Sequence, residues 1–405
     1  GEGLAPLGID IQRGAEIALA ERPTVTVDGA EFTVALDSQD DLCSAEGGQA
    51  VANRFASDPN IVAVAGPMCS SACRAAAPIF DEAGFTTVTM SCTQASLSRS
   101  GFASFNRVVV SDVIQGEAVA QYIFDVLGVT RIATIHDGSP YGEGLVDVVA
   151  ERFVELGGEI VASEAVTVGE TDFRTLLDDI AQEDPELVYF AGFAAEGARL
   201  AQQREDAALE DVPFMGADGI YTPEYIELAG DASEATFSSS ALSASTGAME
   251  AFLETYVETY DEEPPGPYHA HAYDAVNVIL DAVEAVGSVD ANGDLVIPRA
   301  ALSEYVRSVQ GVEGLTGTFN ADGTGDMAIG DIAIYEVQDG EFVTIAIARV
   351  VFENGEVTIS AIEEVEAEAT EEAAGDNADA GDNADAAGDN EDATEEAEAT
   401  VEANG

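Results

Sequence analysis

The sequence predicts an α/β protein made of two Rossmann-like units in tandem, followed by an acidic disordered tail. Three observations carry that prediction. Short β-rich runs alternate with amphipathic helical stretches, the pattern of a parallel sheet covered by helices on both faces. The alternation begins afresh near Asp112, so there are two such units. The chain has 405 residues, 46% of them hydrophobic, which exceeds one ordinary core of ~150 residues and leaves material for two.

In chain order, FTVALD (32 to 37) reads as a strand, 45 to 57 as a helix, IVAVAG (61 to 66) as a strand, 71 to 83 as a helix and FTTVTM (85 to 90) as a strand. The second unit runs from a helix at 112 to 127 through RIATIH (131 to 136), a helix at 142 to 156, EIVASEAV (159 to 166), a helix to Gln182, LVYFAG (187 to 192) and a helix to about Leu209. VPFMGADG (212 to 219) holds a short apolar strand. After Phe237 come two long amphipathic helices, 246 to 260 and 268 to 286, divided by the breaker-rich DEEPPGP (261 to 267). From 316 to 362 the pattern is β again, with turn signals ADGTGD, QDGE and ENGE. From Glu363 onward GDNADA occurs twice in a run of Ala, Glu, Thr, Asp and Asn. Such a segment cannot bury enough apolar surface to offset its ordering entropy, so 363 to 405 is predicted to be disordered.

The charge balance excludes whole classes of partner. There are 78 Asp and Glu against 14 cations, a net charge of −64, and every cation is Arg. The 17 acids from 363 onward account for part of this, and the first 362 residues still carry about −47. Nucleic acid and anionic headgroups would be repelled. An acidic surface without Lys resembles that of proteins adapted to high salt, where screening weakens self-repulsion. No apolar run reaches the ~18 residues of a membrane span. The sequence opens at Gly1 without a basic n-region or an apolar h-region, so a secretion signal is absent from it.

Ligands of doubly wound sheets bind beyond the carboxyl ends of the strands, where helix starts present free N–H groups. IVAVAG runs into PMCSSAC, which puts Ser70 and Ser71 at a helix start, and FTTVTM runs into SCTQASLS, which puts Ser91 and Thr93 at the neighbouring strand end. Two hydroxyl-bearing helix starts side by side suit a carboxylate; plain N-capping is the alternative. In the second unit the same logic places Tyr141, Phe193 and Asp218 at the crevice, two aromatics and an acid that would complement an ammonium and an apolar side chain. With 78 acids in the chain, Asp218 taken alone reads as a solvated loop residue. Catalytic signatures are missing: there is no HExxH, GxSxG, GxGxxG or GxxxxGK[ST]. His269 and His271 lie two apart on a helix and point their rings apart, and FNADGTGD and VDANGD lack the closing Glu of a calcium loop, so no metal and no cofactor is predicted. The four cysteines, Cys43, Cys69, Cys73 and Cys92, all fall in the first unit. Their even number suits two disulfides in an oxidising compartment, with buried thiols or a metal or redox role as alternatives.

Six segments carry a resemblance: GIDIQRGAEIALA (8 to 20), LDSQDDLCSAEGGQAVANRFAS (36 to 57), VAVAGPMCSSAC (62 to 73), APIFDEAGFTTVTMSCTQASLS (77 to 98), IATIHDGSPYGEGL (132 to 145) and VPFMGADG (212 to 219). In that order, from about Gly8 to Val357, the chain resembles the type I periplasmic binding proteins of the leucine/isoleucine/valine-binding kind. The resemblance implies a Venus-flytrap of two α/β lobes joined by a three-crossing hinge, with lobes at 1 to 111 plus 242 to 315 and at 112 to 241 plus 316 to 362. It implies a non-enzymatic, extracytoplasmic, monomeric solute-binding protein that delivers an amino acid, aliphatic or branched-chain, to the permease of an ABC importer. A sensor domain of the same fold is the alternative.

By the same resemblance, Ser70 and Thr93 hold the ligand carboxylate, the Ser91 carbonyl and Asp218 hold the ammonium, Tyr141 matches the family tyrosine, and Phe193, Tyr268 and Met68 line the pocket. Cys43 with Cys69 matches the family disulfide, leaving Cys73 with Cys92 as a second. Asp218 stands where a longer Glu is usual, Phe193 where a Tyr is usual, and Leu7 near a usual aromatic. The family starts with a sheet strand, so GEGLAPLG reads as the loop after it, and its loss would take a central strand from the first sheet.

Overall fold

The computed structural model describes residues 4 to 242, 246 to 327, 330 to 353 and 356 to 365. The first part of the chain comprises α1 (Ala5–Glu21), β1 (Thr24–Val27), β2 (Ala30–Thr33), α2 (Ala45–Ser57), β3 (Val64–Ala65), α3 (Ser70–Glu82), β4 (Thr87–Thr89) and β5 (Phe105–Arg107). The second contains α4 (Asp112–Gln121), β6 (Arg131–His136), α5 (Pro140–Leu156), β7 (Glu159–Ala165), α6 (Arg174–Gln182), β8 (Leu187–Ala191), α7 (Ala194–Arg204), β9 (Phe214–Gly216), α8 (Pro223–Ala229) and β10 (Phe237–Ala241). Then follow α9 (Gly247–Tyr260), α10 (His269–Val286), β11 (Ser288–Val289), β12 (Leu295–Val296), α11 (Arg299–Val306), β13 (Gln310–Glu313), β14 (Thr318–Asn320), β15 (Ile332–Gln338), β16 (Glu341–Glu353) and β17 (Glu356–Glu364).

Two main sheets result, as the alternation predicts. One is the parallel set β3-β4-β5; the other is eight-stranded, in the order β17-β16-β15-β10-β9-β8-β6-β7. From β7 to β10 the larger sheet is parallel, and β15 to β17 extend it as an antiparallel meander. The near-continuous apolar run of β8, with every residue buried, is what a strand covered on both faces requires. Its two faces feed separate cores, Leu187, Tyr189 and Ala191 packing with α4 and α5, and Val188 and Phe190 with α6 and α7. A further core joins α1, α10 and α11 to β4, and takes in Phe319 and Met327 from beyond residue 316.

Three expectations change. Residues 32 to 37 do not form a strand of the parallel sheet: β2 ends at Thr33 and pairs back on β1. The cause is the Asp28-Gly29 pair, whose φ angles of 51° and 80° make the two-residue turn that closes a hairpin. Residues 5 to 8 are helical rather than loop, with Pro6 in the first turn of α1, where its missing N–H costs nothing. The chain at 363 is still a strand, because Glu363 and Glu364 pair with Ile347 and Ala346 and the Arg349 guanidinium donates to Glu363 at 2.8 Å. The remainder of the predicted tail, from 366, lies outside the described residues.

Beyond the outer edge of β3, α1, α2 and the segment 36 to 43 enclose a cavity of about 800 Å³. The four cysteines pair as the resemblance implies, Cys43 with Cys69 and Cys73 with Cys92. The first bridge spans 26 residues. Replacing Cys43 and Cys69 by Ala is therefore expected to cost about 3 kcal/mol on the chain-entropy account, measured as a lower denaturation midpoint in chemical unfolding.

Candidate functional site

The site forms where the loops after β4, β6, β8 and β9 meet the turn before α10. In the HDGSPYG segment, Asp137 accepts hydrogen bonds from the backbone N–H and the hydroxyl of Ser139, and Ser139 caps α5 by accepting from Gly142 N at 3.0 Å. That fixes Tyr141 in the first turn of α5. Gly142 is required, since a Cβ there would lie 2.5 Å from the Ala191 carbonyl oxygen. The Tyr141 hydroxyl donates to Asp218 Oδ1 at 2.6 Å and accepts from Gly219 N at 3.1 Å.

Asp218 is a buried acceptor hub rather than a solvated loop acid. Besides Tyr141 it accepts from Gln115 Nε2 at 2.9 Å and, at its other oxygen, from the Tyr268 hydroxyl. Burial and the neighbouring carboxylate push both phenols well above their ordinary pKa, so they remain donors at any physiological pH. Tyr268 is placed from the other side of the molecule by Asp10 in α1. Asp10 accepts from the backbone N–H of Tyr268 at 2.7 Å and bonds His269 Nδ1 at 3.0 Å. Gly14 lets this happen, because a Cβ there would lie 2.0 Å from the His269 carbonyl oxygen. Phe193, at the cap of α7, stacks obliquely on Tyr141 with ring centroids 5.5 Å apart. It packs with Met68, Leu7 and Tyr268 in one apolar cluster.

On the opposite wall, Thr89 in β4 shapes the turn that follows, accepting from Ser91 N and Cys92 N and donating to the Pro67 carbonyl at 2.7 Å. The hydroxyl of Thr93 is buried with no partner of hydrogen-bonding geometry. Ser70, the first residue of α3, is buried and accepts from Gln94 N at 3.3 Å. Ser91 spends its hydroxyl on the Met68 carbonyl, at 2.8 Å. Ser71 is a correction: one position further round the helix, its hydroxyl turns away and donates to the Cys43 carbonyl at 2.8 Å. Met68 also borders the large cavity, with its N–H directed at Asp41.

Two residues escape sequence reasoning. Arg107, at the end of β5, is wholly buried. Its guanidinium donates to the carbonyls of Cys92, Thr93 and Gln94 at 3.1, 2.7 and 3.0 Å and to Asp326 at 2.6 Å, so it holds the wall loop from behind. Asp112, the first residue of α4, is also wholly buried, and its N–H donates to the Thr93 carbonyl at 2.9 Å. Burial first, and then the Asp218 charge, push its carboxyl up to about 8. An Arg and an Asp give no signal in single-sequence reading; only their complete burial does.

Hydroxyl groups on one wall and an acid ringed by phenols on the other form a cleft suited to a zwitterion. Known proteins resemble the chain in sequence and in fold. A sequence model described as periplasmic binding protein matches residues 3 to 341. The Leu/Ile/Val-binding protein homolog 1 of Brucella suis is 31% identical over 287 residues, 71% of this chain and 76% of its own. The leucine-, isoleucine-, valine-, threonine- and alanine-binding protein of Pseudomonas aeruginosa is 28% identical over 81% of this chain and 85% of its own. Among solved structures, the leucine-binding protein LivK of Thermotoga maritima superposes with a TM-score of 0.77 at 28% identity, covering 85% of this chain and 95% of the other. LivJ of Streptococcus pneumoniae, in complex with isoleucine, shares the fold at a TM-score of 0.73 and 23% identity, over 85% and 96%. The chain therefore belongs to the periplasmic binding protein family, within the branched-chain amino acid substrate-binding group that its sequence resembles.

Proposed function

We infer that this protein is the extracytoplasmic solute-binding receptor of an ABC importer and that it closes on an aliphatic or branched-chain amino acid. The observation that carries the reading is the buried Asp218, fed by Tyr141, Gln115 and Tyr268, together with the buried Thr93 hydroxyl, which has no hydrogen-bond partner of normal geometry. One pole is anionic and the other offers a donor, the complement of an α-amino acid. Phe193 and Met68 supply an apolar wall for the side chain. Hydrogen bonds to charged groups are worth about 1.5 to 3 kcal/mol each, so a zwitterion gains most from such poles.

In this reading the Thr93 and Ser70 hydroxyls hold the carboxylate, and the Ser91 carbonyl and Asp218 hold the ammonium. The lobes are those the sequence implies, save that residues 316 to 327 go with the first, whose core contains Phe319 and Met327. The protein acts as a monomer, catalyses nothing and hands its ligand to membrane permease subunits. The two disulfides and the similarity to periplasmic binding proteins support the extracytoplasmic placement.

Calorimetric titration with aliphatic amino acids and with their deaminated carboxylates tests the assignment. Only the amino acids are expected to bind, and Thr93→Ala is expected to weaken them about tenfold. Equal binding of a deaminated carboxylate, or binding of none of the panel, would refute it.

A further inference from the structure

Asp112 has no role in the assignments above, yet it is wholly buried beside two residues of the site, Thr93 and Asp218. It sits one helical turn from Gln115 on the same face of α4, and Gln115 donates to Asp218. Its backbone N–H donates to the Thr93 carbonyl, and the Asp218 carboxylate and the Thr93 hydroxyl are both near enough to bear on its carboxyl, so the residue neighbours both proposed poles. Both of its carboxylate oxygens are buried, and neither has a hydrogen-bond partner of normal geometry; of its neighbours the Thr93 hydroxyl favours the charged form most, and it does not outweigh burial. A buried anion without donors is too costly to persist beside a second carboxylate.

The groups around it do not relieve this. Asp218, on the loop after β9, raises the cost of its charge, while Arg107 at the end of β5 lowers it, with its donors already spent on carbonyls and Asp326. Tyr141 from α5, Tyr189 from β8 and Tyr268 before α10 are held protonated, by burial first and then by the Asp218 carboxylate, so none of them can take up a proton from Asp112. The Tyr189 hydroxyl is itself buried without a partner.

We propose that Asp112 is the second acid of the binding site, neutral in the free protein, and that an incoming ammonium displaces a proton from it, so that amino acid binding releases one proton to solvent. The inference rests on the amino acid reading given above. Its carrier is a buried carboxyl, without a partner of normal geometry, beside both poles. The ligand's charge replaces the proton's: Asp112 is neutral before binding and ionised beside the ammonium after it. Below the ordinary pKa of an α-ammonium, affinity must then tighten as pH rises.

Titrating the full chain with L-leucine at pH 7 in phosphate and in Tris reads the released proton as a difference in heat, because the two buffers take up protons with different enthalpies. With the carboxyl at about 8 in the free protein, about nine tenths of a proton should leave per leucine. The dissociation constant should fall about tenfold per pH unit between pH 6 and 7.5. Asp112→Asn should bind leucine more weakly above pH 7, with equal heats in the two buffers and an affinity that no longer changes with pH, whereas a proton still released by the variant would overturn the proposal. Equal heats in the two buffers with a pH-independent affinity in the wild type would overturn the proposal and leave the amino acid reading standing.

Failure of every amino acid to bind would overturn that reading instead, and the proton on Asp112 has a readout of its own. A carboxyl raised above its unfolded value of about 3.9 stabilises the fold at low pH and loses that contribution as pH rises. The Tm of the wild type relative to Asp112→Asn should therefore fall between pH 5 and 8. A constant difference would refute the proton on Asp112 whether or not leucine binds.

Discussion

Asp218→Asn is expected to weaken amino acid binding by two to three orders of magnitude while leaving the Tm of the free protein nearly unchanged. Removing one partner of a buried charge pair costs about 3 to 5 kcal/mol, because the other charge is left desolvated without compensation. In the bound state that abandoned charge would be the ligand ammonium. In the free state the amide oxygen still accepts from Tyr141 and Gln115, and the amide N–H can donate to the Tyr268 oxygen in place of accepting from its hydroxyl, so most of the hub survives. Calorimetry for affinity and thermal melting with and without ligand separate the two effects. An affinity within threefold of the wild type would show that Asp218 organises the tyrosines without meeting the ligand.

Arg107→Met is expected to damage both stability and binding. The Met chain fills much of the volume but leaves Asp326 without its buried cation and takes from three carbonyls, of Cys92, Thr93 and Gln94, the charged donor they share, Thr93 and Gln94 keeping only a backbone N–H each. The loss should be about 3 to 5 kcal/mol, seen as a fall in Tm of roughly 5 to 10 °C. Because those carbonyls belong to the wall loop that carries Thr93, affinity should fall as well, at temperatures where the variant remains folded. Arg107 is a positioning residue by this account. A variant with reduced Tm and unchanged affinity would show that the loop keeps its shape without the guanidinium.

The parts of the fold legible in sequence were those where local pattern and tertiary role coincide. RIATIH and the helix from Ala45 to Ser57 appear with the bounds their periodicity gives, the helix capped by Ser44 accepting from Gly47 N. Other elements were set by turns and long-range pairing. Asp28 and Gly29 redirect β2 onto β1, and the antiparallel pairing with β16 extends β17 past the point where composition turns acidic. The short helices α8 and α11, of 7 and 8 residues, present too few turns for a period to show. At the site, Tyr141, Phe193, Asp218, Tyr268 and Met68 do converge. What one sequence could not distinguish was Asp112 from 77 other acids, or the hydroxyl of Ser71 from that of Ser70, because burial and the turn of a helix decide each.

Gly14 gives the site a control point outside it. The backbones of α1 and α10 touch at Gly14 and His269, and the same helix contact carries Asp10, which sets where Tyr268 reaches Asp218. Tyr268, a wall residue in the proposed binding reading, is thus aimed at Asp218 by residues of α1. Over evolutionary time, substitutions along α1 can shift the spectrum of accepted side chains by fractions of an ångström while the lining itself stays the same.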